Sequence, residues 1–199
     1  RRVLFRSYTL FDTNKPAPVV EGLIEKIGSG DASYVIRTPD AKKELAVKDV
    51  MRVEDAFTRM VDTVTDMAYT GLKDLNEIKA VGHRVVHGGD KFPNSILIND
   101  EVAAAIKDLF ALAPLHNPYN MEGIELMQKL IPQAPQVAVF DTSFHTAMPE
   151  NAYTYALPYQ ICEEEKIRRY GFHGTNHKYV ALSAATFLKR PLGDLRIIS

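Results

Sequence analysis

The sequence predicts an α/β protein: a mixed β-sheet with flanking helices. Three observations carry this. Residues 1–50 hold short β-branched runs separated by Gly, Pro, Asn and Asp. Beyond residue 50, apolar residues recur at helical spacing in several stretches. Between those stretches lie strand-like runs, KAVGHRVVH at 79–87 and QVAVFD at 136–141, so that strand and helix alternate.

The opening strands are expected in VLFRSYTLF, VVEGLIEKI, SYVIRT and ELAVKDV, with GSGD at 28–31 as a turn. GSGD lacks the spacing and the flanking lysine of a P-loop. A helix is predicted over 53–72, where Phe57, Met60, Val61, Val64, Met67 and Ala68 fall on one face. The strand at 79–87 is broken by Gly88 and Gly89. A helix follows over about 100–112, with Asn99 or Asp100 as N-cap and Val102, Ile106, Leu109 and Phe110 on its apolar face; Pro114 ends it. A second helix over about 120–131 uses Met121, Ile124, Met127, Leu130 and Ile131. After the buried-type strand 136–141, residues 142–170 read as irregular. A helix then runs from Thr175, as N-cap, to about 189, and LRIIS reads as a last strand.

Composition narrows the function. Hydrophobic residues make up 46% and charged residues 25%, which is ordinary for a soluble globular chain. The net charge is −1 and no stripe of Lys or Arg is present, so nucleic acid and acidic membranes have no electrostatic footprint. Cys162 is the single cysteine, which excludes an internal disulfide and a thiolate metal cluster. No apolar run reaches the roughly 18 residues of a membrane span. The chain opens RRVLFRS without an initiator Met and closes inside an apolar run. It is read as a fragment, a domain over 1–199 whose residues 1–7 are not native.

All six histidines fall between 83 and 177, each beside a glycine, a proline or a strand end. In GHRVVHGG a strand places His83, Val85 and His87 on one face and Arg84 and Val86 on the other. A guanidinium fork beside an apolar wall suits a small carboxylate with a short alkyl tail. Taken alone, the motif reads more simply as an arginine ion-paired on an edge strand. The spacing of His83 and His87 resembles a zinc site only on a helix with a following Glu, and neither condition holds. Asp141 ends a buried strand, where an acid holds Mg²⁺, orients a substrate, or caps the next turn. His116 lies between Pro114 and Pro118 in a stiff loop, lining a pocket or bonding a carbonyl. In GFHGTNH, His173 and Gly174 stand at a helix N-terminus, where an anion is favoured. His173 is the better functional candidate there, and His177 the structural one.

Taken together, VGHRVVHGGDKF, LAPLHNPYNMEGI, VAVFDTSFHTAMPENAYTYALPY and RRYGFHGTNHKYV resemble the acetate kinase family over residues 8–199. The resemblance implies an actin-like ATPase domain with the ribonuclease H-like fold, here ending before a second, nucleotide-binding domain. It implies reversible transfer of the ATP γ-phosphoryl to acetate, giving acetyl phosphate and ADP, with Mg²⁺, in a cytoplasmic homodimer. By motif, Arg84 matches the arginine that grips acetate, and Val86, Leu115 and Phe172 match the pocket around its methyl. Asp141 matches the catalytic acid/base, His173 the histidine stabilising the transferring phosphoryl, and His116 another active-site histidine. Acetate is already ionised at pH 7, so Asp141 is expected to orient Mg²⁺ or Arg84 rather than remove a proton.

The family's N-terminal phosphate loop has no counterpart here; Ser7 stands where its lysine would be. No nucleotide-binding residue or Mg²⁺ ligand is identified, and the 199-residue chain alone is not expected to be a competent kinase. Three alternatives remain: a propionate-preferring relative, a non-catalytic binding remnant of the domain, and, more distantly, a zinc hydrolase.

Overall fold

A computed structural model describes residues 4–199. The chain forms two compact units, the first ending at Lys79 and the second spanning Ala80–Ser199. In the first, β1 (Leu4–Phe11), β2 (Pro18–Ile27), β3 (Ser33–Arg37) and β4 (Lys42–Ala46) make an antiparallel meander in that order. The β2–β3 connection turns at Gly28 and Gly30, both at φ +80°, a backbone state that glycine adopts without a Cβ clash. Helix α1 (Val53–Val64) packs Ala56 into the apolar cluster of Val20, Ile24, Tyr34, Ile36 and Val50. Its start is fixed by Asp55, whose Oδ2 accepts the N–H groups of Met51 and Arg52.

In the second unit, β5 (Val81–Val85) runs parallel to β7 (Gln136–Phe140), and the short β6 (Ile96–Leu97) pairs antiparallel on β7's other side. The sheet is mixed, as the alternating pattern required. Helices α2 (Asp100–Asp108) and α3 (Asn117–Leu130) bury Val102, Ile106, Met121 and Ile124 against Val85, Ala138 and Phe140. Asn99 is the N-cap of α2, its Oδ1 accepting the Val102 N–H at 2.9 Å. Three short or long helices complete the unit: α4 (Glu150–Tyr153), α5 (Tyr159–Glu164) and α6 (Gly174–Leu188).

Several expected boundaries move. The helix over 53–72 stops at Val64, because Asp66 turns its side chain onto the Ala68 N–H at 2.8 Å and competes with the helical ladder. Met67, expected on its buried face, is exposed. The helix over 100–112 ends at Asp108, and Leu109–Ala113 tighten into turns. Helix α3 begins at Asn117, earlier than 120, because Pro118 falls in the first turn, where its missing N–H costs nothing. Residues 142–170 carry α4 and α5 and are not wholly irregular. LRIIS forms no strand among the described residues: no neighbour supplies its ladder hydrogen bonds.

Candidate active site

Parallel pairing brings the carboxyl ends of β5 and β7 together, Val85 opposite Phe140. The ladder continues one step further, the Asp141 N–H donating to the Val85 carbonyl at 3.0 Å. This places Asp141 beside Arg84. Arg84 Nε donates to Asp141 Oδ1 at 2.9 Å and Nη2 donates to Oδ2 at 2.7 Å, a two-pronged pair. Burial differs sharply between the partners: the Asp141 side chain is 3% exposed and that of Arg84 is 64% exposed. A buried carboxylate thus anchors the inner edge of the guanidinium. It takes two of the five N–H groups and leaves the outer edge facing solvent. The Arg84 guanidinium is held above its ordinary pKa, chiefly by its hydrogen bond to Asp141.

The chain leaving β5 is bound amide by amide. The Val86 N–H donates to Asn120 Oδ1 at 3.1 Å. The His87 N–H donates to Asn117 Oδ1 at 3.0 Å, and Asn117 Nδ2 returns a bond to the His87 carbonyl at 2.9 Å. The Gly88 N–H donates to Thr142 Oγ1 at 3.0 Å. The Gly89 N–H donates to His87 Nδ1, which leaves the proton of a neutral ring on Nε2. These side chains replace the sheet neighbours that the backbone has left, as buried amides require. The His87 ring packs edge-on against Tyr170 and Phe172, with centroids 4.5 and 5.4 Å away.

The third segment precedes α6. Its Gly174 N–H donates to the Asp141 carbonyl at 2.8 Å. A Cβ on Gly174 would lie 2.5 Å from that oxygen, so only glycine allows this approach. His145 Nε2 donates to the Phe172 carbonyl at 3.0 Å. Arg168 stacks on Tyr153, 3.7 Å from the ring centroid, and pairs with Asp90 at 3.3 Å, which ties residues 168–173 to the chain after β5. His173, not Thr175, occupies the N-cap position of α6, in the left-handed region at φ 57°. The Gly174 amide is spent on Asp141, so the helix terminus offers an anion less than the sequence implied.

Arg84 and Asp141 are therefore joined directly. Phe172 meets the His87 ring, Val86 lies between Arg84 and that ring in the chain, and His173 abuts the glycine docked on Asp141. Leu115, 59% exposed, and His116 immediately precede Asn117, whose bonds to His87 bring them to the end of β5. The His177 ring packs on His145, and its Nδ1 lies 2.8 Å from Ser199 Oγ. Sequence reasoning passed over Asn117, Asn120 and Thr142. The signal for the first two was present: N-x-x-N at a helix start puts both amides on one face.

Burial depresses the pKa values of His83 and His87 below the ordinary 6.5. His83 Nε2 donates to Gln136 Oε1, and this bond opposes the shift, as does Asp90 for His87. Below about pH 6.5 the unfolded chain binds more protons than the fold at these positions. Their stabilising effect is complete above that pH and is lost as pH falls toward the folded-state values. Thermal melts of wild type and His87→Gln between about pH 7 and 5 are expected to show a shallower loss of Tm in the variant; equal slopes would exclude His87 as a source.

Among the described residues, no three His, Cys, Asp or Glu side chains converge as a metal site. Both Asp141 oxygens are engaged by Arg84. The described residues do not fit the Mg²⁺ that the motif resemblance implies. No helix among the described residues is long and apolar enough to cross a membrane.

The profile of the acetokinase family matches residues 6–199. The chain belongs to the acetokinase family. An acetate kinase of Desulfitobacterium hafniense is 50% identical over 192 residues, 96% of this chain and 48% of that protein. One from Staphylococcus epidermidis is 49% identical over 181 residues, covering 91% of this chain and 43% of the relative. The crystal structure of Porphyromonas gingivalis acetate kinase superposes with a TM-score of 0.86 at 40% identity, across 94% of this chain and 47% of the other. A propionate kinase from Francisella tularensis gives 0.84 at 39%, with 94% and 47% covered. The chain thus spans about half the length of the relatives it matches. The acetokinase assignment accords with the α/β fold and with the four motif segments, all of which lie inside the matched residues.

Proposed function

We propose that the protein is an acetate kinase in which residues 1–199 form the N-terminal domain, and that it transfers the γ-phosphoryl of ATP to acetate, reversibly. The observation that carries this is the Arg84–Asp141 fork: a guanidinium fixed on one edge by a buried carboxylate and open on the other. The open edge binds the acetate carboxylate, and Val86, Leu115 and Phe172 enclose its methyl. A carboxylate oxygen attacks the γ-phosphorus as the bond to the ADP oxygen breaks. Charge spreads over the equatorial oxygens, and His173 and His116 stabilise it. No proton needs removing, so Asp141 acts by positioning Arg84. Mg²⁺ bound to the nucleotide phosphates would supply further charge neutralisation, and none of the described residues is assigned to hold it. The family resemblance supports a cytoplasmic homodimer.

The near-equal similarity to an acetate kinase and a propionate kinase structure favours propionate as a second acceptor. The test is ADP formation by the full-length protein with Mg·ATP and either acid. Acetate-dependent turnover with a higher kcat/KM for acetate is expected; a higher value for propionate would reverse the assignment, and turnover with neither would refute it.

A further inference from the structure

We infer that Asn120, supported by Asn117, is a specificity-positioning residue: it sets the depth of the acceptor pocket by fixing the backbone that carries Val86. The inference rests on the proposed role of Val86 as a wall of that pocket. Strand β5 ends at Val85, so Val86 has no sheet partner holding it at a defined height. Its position comes from the 3.1 Å bond its N–H donates to Asn120 Oδ1. Asn117, fully buried, grips both the N–H and the carbonyl of the next residue, His87. The two amides lie three residues apart on the first turn of α3, so they act as one clamp on two successive peptides. Met121 and Ile124 lock that helix into the core, which makes the clamp rigid. Arg84, two residues upstream, is fixed independently through Asp141. The distance between the carboxylate grip and the methyl wall is therefore set by two separate anchors, and only one of them is the asparagine pair. A pocket that discriminates by one methylene needs such a fixed wall, since that group alone is worth only about 10- to 200-fold.

The experiment compares kcat/KM for acetate and for propionate in the full-length protein with Asn120→Ala, Asn120→Asp and Val86→Ala. Both acids carry the same charge, so the acetate-to-propionate ratio cancels any electrostatic effect of the new Asp. In Asn120→Ala the ratio is expected to fall by about 3- to 10-fold, a partial loss of the roughly 10- to 200-fold that one methylene spans, with KM for ATP unchanged. Asn120→Asp keeps an acceptor oxygen for the Val86 N–H and is expected to keep the wild-type ratio, even if the alanine variant folds poorly. A changed ratio in Val86→Ala with an unchanged one in Asn120→Ala would overturn the clamp while leaving the pocket assignment standing. An unchanged ratio in all three would overturn both. A changed ratio in Asn120→Asp equal to that in Asn120→Ala would also overturn the clamp, since the acceptor atom would not matter.

Discussion

Asp141→Asn in the full-length protein is expected to lower kcat/KM for acetate by about 100-fold, the size of effect that a misplacement of about 1 Å produces in a positioned group. The cause is local. The carboxylate offers two acceptors to Nε and Nη2 of Arg84 at 2.9 and 2.7 Å, whereas an amide offers one acceptor and sets an NH₂ against a guanidinium. Arg84 keeps its charge but loses its aim. The effect should fall mainly on KM for acetate, and KM for ATP should change little. Stability responds in the opposite order. Arg84→Ala leaves a carboxylate 3% exposed without its cation, whereas Asp141→Asn leaves an arginine that is already 64% in solvent. Arg84→Ala is therefore expected to cost about 1–3 kcal/mol, less than for a fully buried pair because of that exposure. Steady-state kinetics with acetate varied, alongside denaturant melts, check both parts. A Asp141→Asn enzyme with wild-type acetate kinetics would contradict the positioning role.

Substitution of His173 is expected to separate activity from stability. The residue sits at φ 57°, a left-handed state that costs a non-glycine residue about 1–2 kcal/mol. Its neighbour Gly174 is docked on the Asp141 carbonyl, and that contact holds the segment in place. Backbone strain retained at an exposed histidine beside the site fits a residue kept for its side chain. Both His173→Ala and His173→Gly should lower kcat by about 100- to 1000-fold, the scale for losing one donor to transition-state charge. Glycine relieves the strain and alanine does not, so His173→Gly should be the more stable by about 1 kcal/mol. Paired kcat measurements and urea melts test this. Equal stabilities would show that the left-handed backbone is not a burden, and retained kcat would remove His173 from the mechanism.

The sequence disclosed most of the fold through periodicity. Strand β7 and the apolar face of α2 were legible because burial imposes a repeat on the residues themselves. The Asn99 cap of α2 was legible too, but other helix ends were not, since they depend on single side-chain bonds such as Asp66 to Ala68 or on Pro118 fitting a first turn. LRIIS was misread because an apolar β-branched run specifies a strand only where a partner edge exists. At the candidate site, Arg84, Asp141 and His173 were visible as charged or titratable residues at strand and helix ends. Their pairing was not, because residues 57 apart in sequence meet only through the parallel register of β5 and β7. Thr142 was invisible for another reason: a buried hydroxyl that satisfies a backbone N–H leaves no charge pattern to read.

The most direct test of the central claim, that Asp141 works through Arg84, is a double-mutant cycle on kcat/KM for acetate. Arg84→Ala, Asp141→Asn and the double variant would be compared in the full-length protein. If Asp141 only aims the guanidinium, its loss matters little once Arg84 is gone, and the double variant should be no slower than Arg84→Ala. Losses that multiply across the two positions would contradict this and give Asp141 a role of its own in the chemistry.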